Sequence, residues 1–197
     1  TFASQHGSPF APDYFDDMTA AHLVKIRKMN RYTRSGVGGP LLAIRENLEA
    51  HPIEKYYPKE AITRPVTAVI DSVEGEGSSL RKVKIGLACP LIHKTVEIGG
   101  KDFQLAADFS VSWAALLSRT RRLQSTAIGD VLRVDPRREP QLYLMQAYDP
   151  QKEPLIMIHG LIDTPLIWAQ LSNDLWGDPE IRKKYQIWHY LYNTSAP

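Results

Sequence analysis

The sequence contains very little cysteine. Its single cysteine, Cys89, excludes an internal disulfide and a cysteine-based zinc site. Cys89 lies in the apolar segment 85–92, so we expect a structural thiol in the interior rather than a reactive nucleophile. The histidines include no pair at a spacing of two, three or four residues, which is the spacing typical of metal sites. The sequence therefore predicts no metal site and no cofactor.

Long apolar runs and a strong charge imbalance are also absent. No apolar segment approaches the roughly 18 residues of a membrane-spanning helix, so no transmembrane segment is predicted. The formal net charge of +2 is too small to indicate binding to nucleic acid or to an anionic membrane. Hydrophobic residues make up 43% and charged residues 23% of the 197 residues, a composition typical of globular proteins with a core.

The first part of the chain predicts a pair of helices. Apolar residues recur at spacings of three and four over residues 13–34 and again over residues 41–50. The glycine-rich segment 36–40 between them lacks the preceding strand and the Gly-Lys-Ser/Thr ending of a phosphate-binding loop. Five basic residues lie late in the first predicted helix, where a solvated helix face is favoured over a phosphate or nucleic-acid patch: Lys25, Arg27, Lys28, Arg31 and Arg34.

The period of the apolar pattern then changes to two, which predicts a small antiparallel β unit. Residues 66–70 and 81–89 read as paired strands. Residues 93–98 and 101–105 flank Gly99-Gly100, which predicts a two-residue hairpin turn. A helix is expected from about residue 112 to residue 122, and it ends in the basic residues Arg119, Arg121 and Arg122.

The second part of the chain is organised around an apolar run that ends in a glycine turn. Residues 155–158 carry no charge on either face, which is typical of a central strand in a parallel sheet covered by helices on both sides. The run ends in His159-Gly160-Leu161, and a helical pattern follows over residues 164–176. Such a turn lies at the carboxyl end of a strand, where ligands bind in open α/β sheets.

Two neighbouring strands are predicted for this sheet. Residues 142–148 are joined to the apolar run by a four-residue turn, which indicates an antiparallel hairpin. An aromatic-rich strand that begins at Ile187 and ends at Tyr192 is expected to lie parallel to the run through a right-handed crossover. Its far edge is expected to be unpaired, which makes it a candidate surface for a protein partner.

These segments resemble the α/β-hydrolase superfamily, in particular bacterial lipase-like esterases, over residues 142–197. The residues that carry the likeness are Pro154-Leu-Ile-Met-Ile-His-Gly-Leu161, Asp163-Thr-Pro-Leu-Ile-Trp168 and Tyr185-Gln-Ile-Trp-His-Tyr-Leu-Tyr192. The resemblance implies an α/β fold in which residues 126–197 begin a three-layer α/β/α hydrolase sheet. Residues 1–125 would form a preceding module of helices and a small antiparallel β unit.

The resemblance also implies roles for five residues. In the family, the backbone N–H of the residue after His-Gly is half of an oxyanion hole, which stabilises the negative charge that acyl transfer builds on the carbonyl oxygen. By position, Leu161 would be this donor, and Gly160 would let the backbone turn closely. His159 would be structural rather than a catalytic base. Asp163 and Trp168 would line or support the pocket, with a helix cap and a core aromatic as the alternatives.

One part of the family pattern is missing. The nucleophile of these enzymes lies in Gly-x-Ser-x-Gly, and no such sequence occurs here; the segment Gly75-Glu-Gly-Ser-Ser79 does not fit it. The resemblance thus implies the amino-terminal portion of a serine hydrolase of the bacterial cell envelope or exterior, inactive as this chain alone. Its substrate would be a small ester or acyl compound, bound by an enzyme that continues beyond Pro197. The alternative is a non-catalytic protein that binds a ligand or a protein partner.

Overall fold

The computed structural model describes residues 14–75, 81–126, 139–160 and 165–192. Within these ranges, strands contain about twice as many residues as α-helices do. The strands are β1 (Asp17–Ala20), β2 (Thr33–Arg34), β3 (Gly39–Arg45), β4 (Ile62–Glu74), β5 (Lys82–Ala88), β6 (Thr95–Ile98), β7 (Lys101–Gln104), β8 (Ala107–Asp108), β9 (Gln141–Leu144), β10 (Glu153–Ile158) and β11 (Tyr185–Leu191). The α-helices are α1 (Val111–Thr126), α2 (Ala169–Gly177) and α3 (Pro179–Lys184). None of the helices in the described ranges is long and apolar enough to cross a membrane.

The larger sheet has four antiparallel strands in the order β1-β3-β4-β5. β4 is the longest strand, with 13 residues, and it pairs with β3 at its start and with β5 towards its end. The β4–β5 register shifts between Ile70 and Ser72, so that Asp71 forms a β-bulge. Two small antiparallel pairs, β2–β8 and β6–β7, lie outside this sheet.

The prediction of two helices in the first 50 residues is wrong. Residues 17–20 and 39–45 are strands β1 and β3, which pair with each other through Asp17 opposite Ile44 and Ala20 opposite Leu41. Lys28, with φ of 59°, and Glu49, with φ of 54°, take a backbone conformation that interrupts a right-handed helix. Apolar residues three and four positions apart over a short segment do not distinguish a helix from a strand. Residues 39–45 form a strand, β3, which is paired on both of its edges.

Several other predictions for this part of the chain are confirmed. The strands predicted at residues 66–70 and 81–89 are β4 and β5, and they pair antiparallel. The Gly99-Gly100 hairpin forms between β6 and β7, with φ of 58° at Gly99 and 75° at Gly100. Positive φ at both central residues is what a type I′ turn requires, and glycine adopts it without strain. The helix expected after residue 112 is α1.

The smaller sheet has three strands in the order β10-β11-β9. β10 and β11 are parallel and are joined through α2 and α3, which confirms the predicted parallel pair with a helical connection. β9 is antiparallel to β11 and not to β10, so the predicted β9–β10 hairpin is wrong. β11 is therefore the central strand with both edges paired, and the expected free edge from Ile187 to Tyr192 is also wrong.

A buried glutamine bonds β11 to the loop between β9 and β10. Gln186, at the start of β11, is 1% exposed. Its Nε2 donates to the carbonyl oxygens of Asp149 at 2.8 Å and Lys152 at 2.9 Å, while its Oε1 accepts from the N–H of Asp149 at 3.1 Å. The loop between β9 and β10 is thereby bonded to β11 itself. The short loop length, on which the hairpin prediction relied, did not contain this information.

The expected α/β fold, the start of a three-layer α/β/α sheet preceded by a helical and antiparallel β module, is contradicted. The described residues are mostly β, with several antiparallel sheets. β10 is an edge strand, and its Ile156 and Ile158 are 45% and 57% exposed, so this strand is not covered on both faces. An apolar run shows that a segment tolerates burial, but it does not show that both faces are buried.

The main core lies between the two sheets and the helices. Trp113 of α1 is 1% exposed, and its ring centroid lies 5.0 Å from that of Trp176 and 5.5 Å from that of His189. The same cluster includes Ala61 and Phe109 from the first part of the chain. The core that positions the end of β10 is therefore built from both halves of the sequence.

Candidate functional site

The candidate oxyanion turn begins where β10 ends, at His159. The His159 side chain is 2% exposed, and its ring stacks on that of Tyr192 with centroids 4.7 Å apart. Its Nδ1 lies 3.0 Å from the carbonyl oxygen of Gly160. Its Nε2 lies 3.4 Å from the backbone nitrogen of Tyr192, and the Tyr192 hydroxyl donates to the carbonyl oxygen of His159 at 2.9 Å. We call these contacts among His159, Gly160 and Tyr192 the histidine clamp.

The hydrogen-bond partners of the two His159 ring nitrogens show which nitrogen carries the proton. The Tyr192 backbone nitrogen is only a donor, so Nε2 of His159 accepts from it. The Gly160 carbonyl is only an acceptor, so Nδ1 carries the proton and donates to it. Both ring nitrogens of His159 therefore hold backbone groups, and the ring joins the end of β10 to the end of β11.

The other predicted site residues are placed as follows. Gly160 is described and exposed, directly after His159. Leu161 and Asp163 lie outside the described residues. Trp168 ends the 3₁₀ helix Pro165–Trp168, is half-buried and packs against the main core. The structure thus brings His159 and Gly160 together at one end of β10, and the roles assigned to all five residues stay predictions.

A buried serine–histidine pair lies near this region. The hydroxyl of Ser172, on α2, is 2.9 Å from Nε2 of His189, on β11. A catalytic serine and its base have this separation. Ser172 is 0% and His189 1% exposed, however, and the His189 ring stacks on Trp113. A substrate has no access to this hydroxyl, so the pair fastens α2 to β11 and is not a nucleophile.

A buried carboxylate organises the loop that follows β3. Glu54 is 0% exposed, and its Oε1 accepts from the Tyr14 hydroxyl at 2.7 Å and from Nε of Arg45 at 2.8 Å. Burial by itself raises the pKa of Glu54, but these two bonds and the backbone N–H groups of His51 and Ala50 outweigh it and lower the pKa. Burial and the hydrogen bond to Glu54 raise the pKa of Tyr14. These contacts fix the loop after β3, and no substrate group is needed to explain them.

A cleft of about 770 Å³ lies between the segment that follows β1 and the exposed side of α1. Leu23, Ile44 and Leu117 contribute apolar walls, and Lys25, Arg27 and Arg119 contribute positive charge. Sequence reasoning assigned these basic residues to solvated helix faces and missed the cleft. The available signal was the presence of two basic clusters, residues 25–34 and 119–122, without acidic residues among them.

Comparison of the chain with protein-family models, curated proteins and solved structures gives no match. Within the part of the chain that the structure describes, no group of three or more His, Cys, Asp or Glu side chains is placed to hold a metal ion.

Proposed function

We propose that this chain supplies the oxyanion-binding side of a serine ester hydrolase. The observation that carries the proposal is the histidine clamp at the carboxyl end of β10. It fixes the backbone immediately before Leu161, the residue whose N–H the resemblance assigns to the oxyanion. A fixed donor stabilises developing charge without the cost of reorganising during the reaction.

The strands around the clamp support the same proposal. β10 continues through α2 and α3 into the parallel strand β11. The antiparallel β9 lies on the other edge of β11, and the resemblance likewise implies an antiparallel second strand. The turn after β10 therefore stands at the carboxyl end of a parallel strand, which is where α/β proteins place ligand-binding groups.

The chemistry of the proposed site is acyl transfer. A serine nucleophile adds to the carbonyl carbon of an ester, and the carbonyl oxygen takes up the negative charge. The Leu161 N–H donates to that oxygen, and Gly160 offers no side chain to obstruct it. Collapse of the intermediate expels the alcohol, which takes up the serine proton, and water then hydrolyses the acyl-enzyme to release the acid and restore the serine. Serine, acid and base come from residues that this sequence does not identify, so residues 1–197 alone should turn over no ester.

The test removes the donor and leaves the rest of the turn. In the protein isolated at its natural length, Leu161→Pro deletes the backbone N–H, whereas Leu161→Ala keeps it. We expect kcat for p-nitrophenyl esters to fall about 10²–10³-fold in Leu161→Pro, with a small change in Leu161→Ala. Circular dichroism and thermal unfolding of both variants show whether the fold is retained.

Two results contradict the proposal. One is a folded Leu161→Pro variant with the kcat of the unaltered protein. The other is a natural-length protein that hydrolyses no p-nitrophenyl ester and is not labelled by a serine-reactive phosphonate.

The second candidate function is non-catalytic ligand binding. The observation that favours it is the cleft beside α1, which has the size of a small-molecule site. The two candidates differ in turnover, so the phosphonate labelling experiment separates them.

A further inference from the structure

The cleft beside α1 combines two kinds of wall. On one side lies the segment after β1 that contains Leu23, Lys25 and Arg27, and on the other lies the α1 surface that contains Leu117 and Arg119. Leu23 is 65% exposed, although a large aliphatic side chain gains from leaving water. Alanines of α1 also line the cleft, and their small side chains leave its volume of about 770 Å³ open.

The charges that the described residues bring to the cleft are all of one sign. Lys25, Arg27 and Arg119 line it, and no acidic side chain of the described ranges does. Among the described residues, none of these three forms an ion pair, whereas nearby Arg31 pairs with Asp108 at 2.7 Å and Arg45 with Glu54 at 2.8 Å. Three cations beside the apolar side chains Leu23, Ile44 and Leu117 leave the potential positive, and an anion that enters would be attracted.

We propose that this cleft binds a long-chain fatty acid as its carboxylate. Arg27 and Arg119 offer forked donors that suit a carboxylate, and Lys25 adds a third cation. The apolar walls suit a linear hydrocarbon chain. Of the lining residues that the structure describes, none is an aromatic on which a nucleotide base or sugar ring would stack. The inference is independent of ester hydrolysis, because it uses neither the histidine clamp nor Leu161.

The apolar side chains and the cations of the cleft together favour a fatty acid as the ligand. A small anion such as acetate would leave Leu23, Ile44 and Leu117 exposed to water. A neutral alkane or alcohol would bring no partner to the three cations. A fatty acid satisfies both, and its affinity should depend on chain length and on salt, since apolar burial and screened charge contribute separately.

The test uses the 197-residue chain and saturated fatty acids from C10 to C16, each below its micelle concentration, with isothermal titration calorimetry. We expect the dissociation constant to fall about fourfold for each added CH₂ until the cleft is full. Added salt should weaken binding. The alcohol of matching length should bind about tenfold or more weakly than the carboxylate.

Three variants locate the site. Arg119→Gln should weaken palmitate binding about tenfold. Ser118→Trp places a bulky ring at a cleft-lining position of the α1 wall and should block binding without a change in the core. Lys28→Gln is the matched control: Lys28 belongs to the same basic segment and is exposed, but it does not line the cleft, so affinity should be unchanged.

The proposal is overturned by any of three results. The first is that palmitate does not bind below its micelle concentration. The second is that the Arg119→Gln and Ser118→Trp variants are folded and bind palmitate as tightly as the unaltered chain does. The third is that an acidic peptide binds with the same dependence on Arg119 while the affinity for fatty acids does not depend on chain length. In that last case the cleft is a peptide site.

Discussion

In the four-stranded sheet, β3, β4 and β5 pair in the order in which the chain forms them, whereas in the three-stranded sheet β11 enters between two strands that precede it. The polar groups that accompany these arrangements also differ. The loop after β3 is held by a buried carboxylate with Arg45 and Tyr14 as partners. The smaller sheet is held by the amide of Gln186 and by the rings of His159 and His189.

This difference indicates which region should lose stability in acid and which should lose stability mainly when a hydrogen-bonding side chain is removed. A charged group holds its partner only while it keeps its charge, so the first region should respond to pH. Amide groups keep their bonds across the acidic range, so the loop bonded to Gln186 should respond mainly to loss of its partners. Four substitutions test this division, from the largest expected effect to the smallest.

The first substitution, Trp113→Ala, removes a side chain from the core cluster to which both regions contribute. Trp113 is 1% exposed and lies against Trp176 and His189, so its loss leaves a cavity in the shared core. We expect a loss of about 3–5 kcal/mol in the free energy of unfolding, measured in urea by circular dichroism. Leu48→Ala is the control, because Leu48 is 71% exposed and its loss should cost less than about 0.5 kcal/mol. A loss below about 1 kcal/mol for Trp113→Ala would show that the two regions do not depend on this contact.

The second substitution, Gly36→Ala, affects only the first region. A Cβ at Gly36 would lie 2.2 Å from the carbonyl oxygen of Gln104 and 2.6 Å from the nitrogen of Ala106. These are backbone atoms that cannot rotate away, so we expect a loss of about 3 kcal/mol, again from urea unfolding. At Gly39, a Cβ would meet nothing within 4 Å, and Gly39→Ala should leave stability nearly unchanged. Equal losses at both positions would assign the effect to glycine flexibility instead of to this close approach.

The third substitution, Gln186→Leu, affects only the second region. It removes the amide from two carbonyl groups and one N–H of the loop between β9 and β10. Because these groups would be buried without partners, we expect a loss of about 2 kcal/mol in the free energy of unfolding and faster hydrogen exchange in that loop. Gln104→Leu is the comparison, because Gln104 is exposed and water replaces its bond to Ser35. If Gln186→Leu unfolds at the same urea concentration as the unaltered chain, the amide of Gln186 does not determine the strand order.

The smallest expected effect concerns acid. The folded-state pKa of Glu54 is lowered from its ordinary value of 4.5. Its contribution to stability is therefore complete above pH 4.5 and is lost as the pH falls through the lower, folded value. Below pH 4.5, we expect the urea concentration at the unfolding midpoint to decrease more steeply with falling pH for the unaltered chain than for Glu54→Gln. Parallel curves for the two proteins would mean that Glu54 is not the group that titrates.

The elements that the sequence predicted correctly are those decided by local chemistry. Two glycines with positive φ fix the β6–β7 turn, and alternating residues fix β4 and β5. The parallel pair β10–β11 was predicted because a helical pattern separates two apolar strands. β1 and β3 were missed, because their strand character depends on their mutual pairing and not on their own spacing.

The candidate sites divide in the same way. His159 and Gly160 were found because they are adjacent in the sequence and follow an apolar run. The cleft was not found, because Leu23, Ile44 and Leu117 meet only after folding. The strand order of the smaller sheet was also beyond reach, since β11 pairs with β9 and contacts the loop between β9 and β10 across more than 30 residues of sequence.

The β-bulge at Asp71 has a consequence for how this chain tolerates changes of length. Ile70 lies opposite Ile85 and Val73 opposite Val83, so the extra residue keeps four aliphatic side chains on one face of the hairpin. Residues three apart on a regular strand lie on opposite faces, so the bulge is what brings Val73 to the face of Ile70. Deletion of Asp71 leaves Ile70 and Val73 two positions apart and keeps both on that face, whereas deletion of two adjacent residues turns Val73 to the other face. Relatives of this protein should therefore keep the single extra residue between Ile70 and Val73 or lack it, and should not lack two.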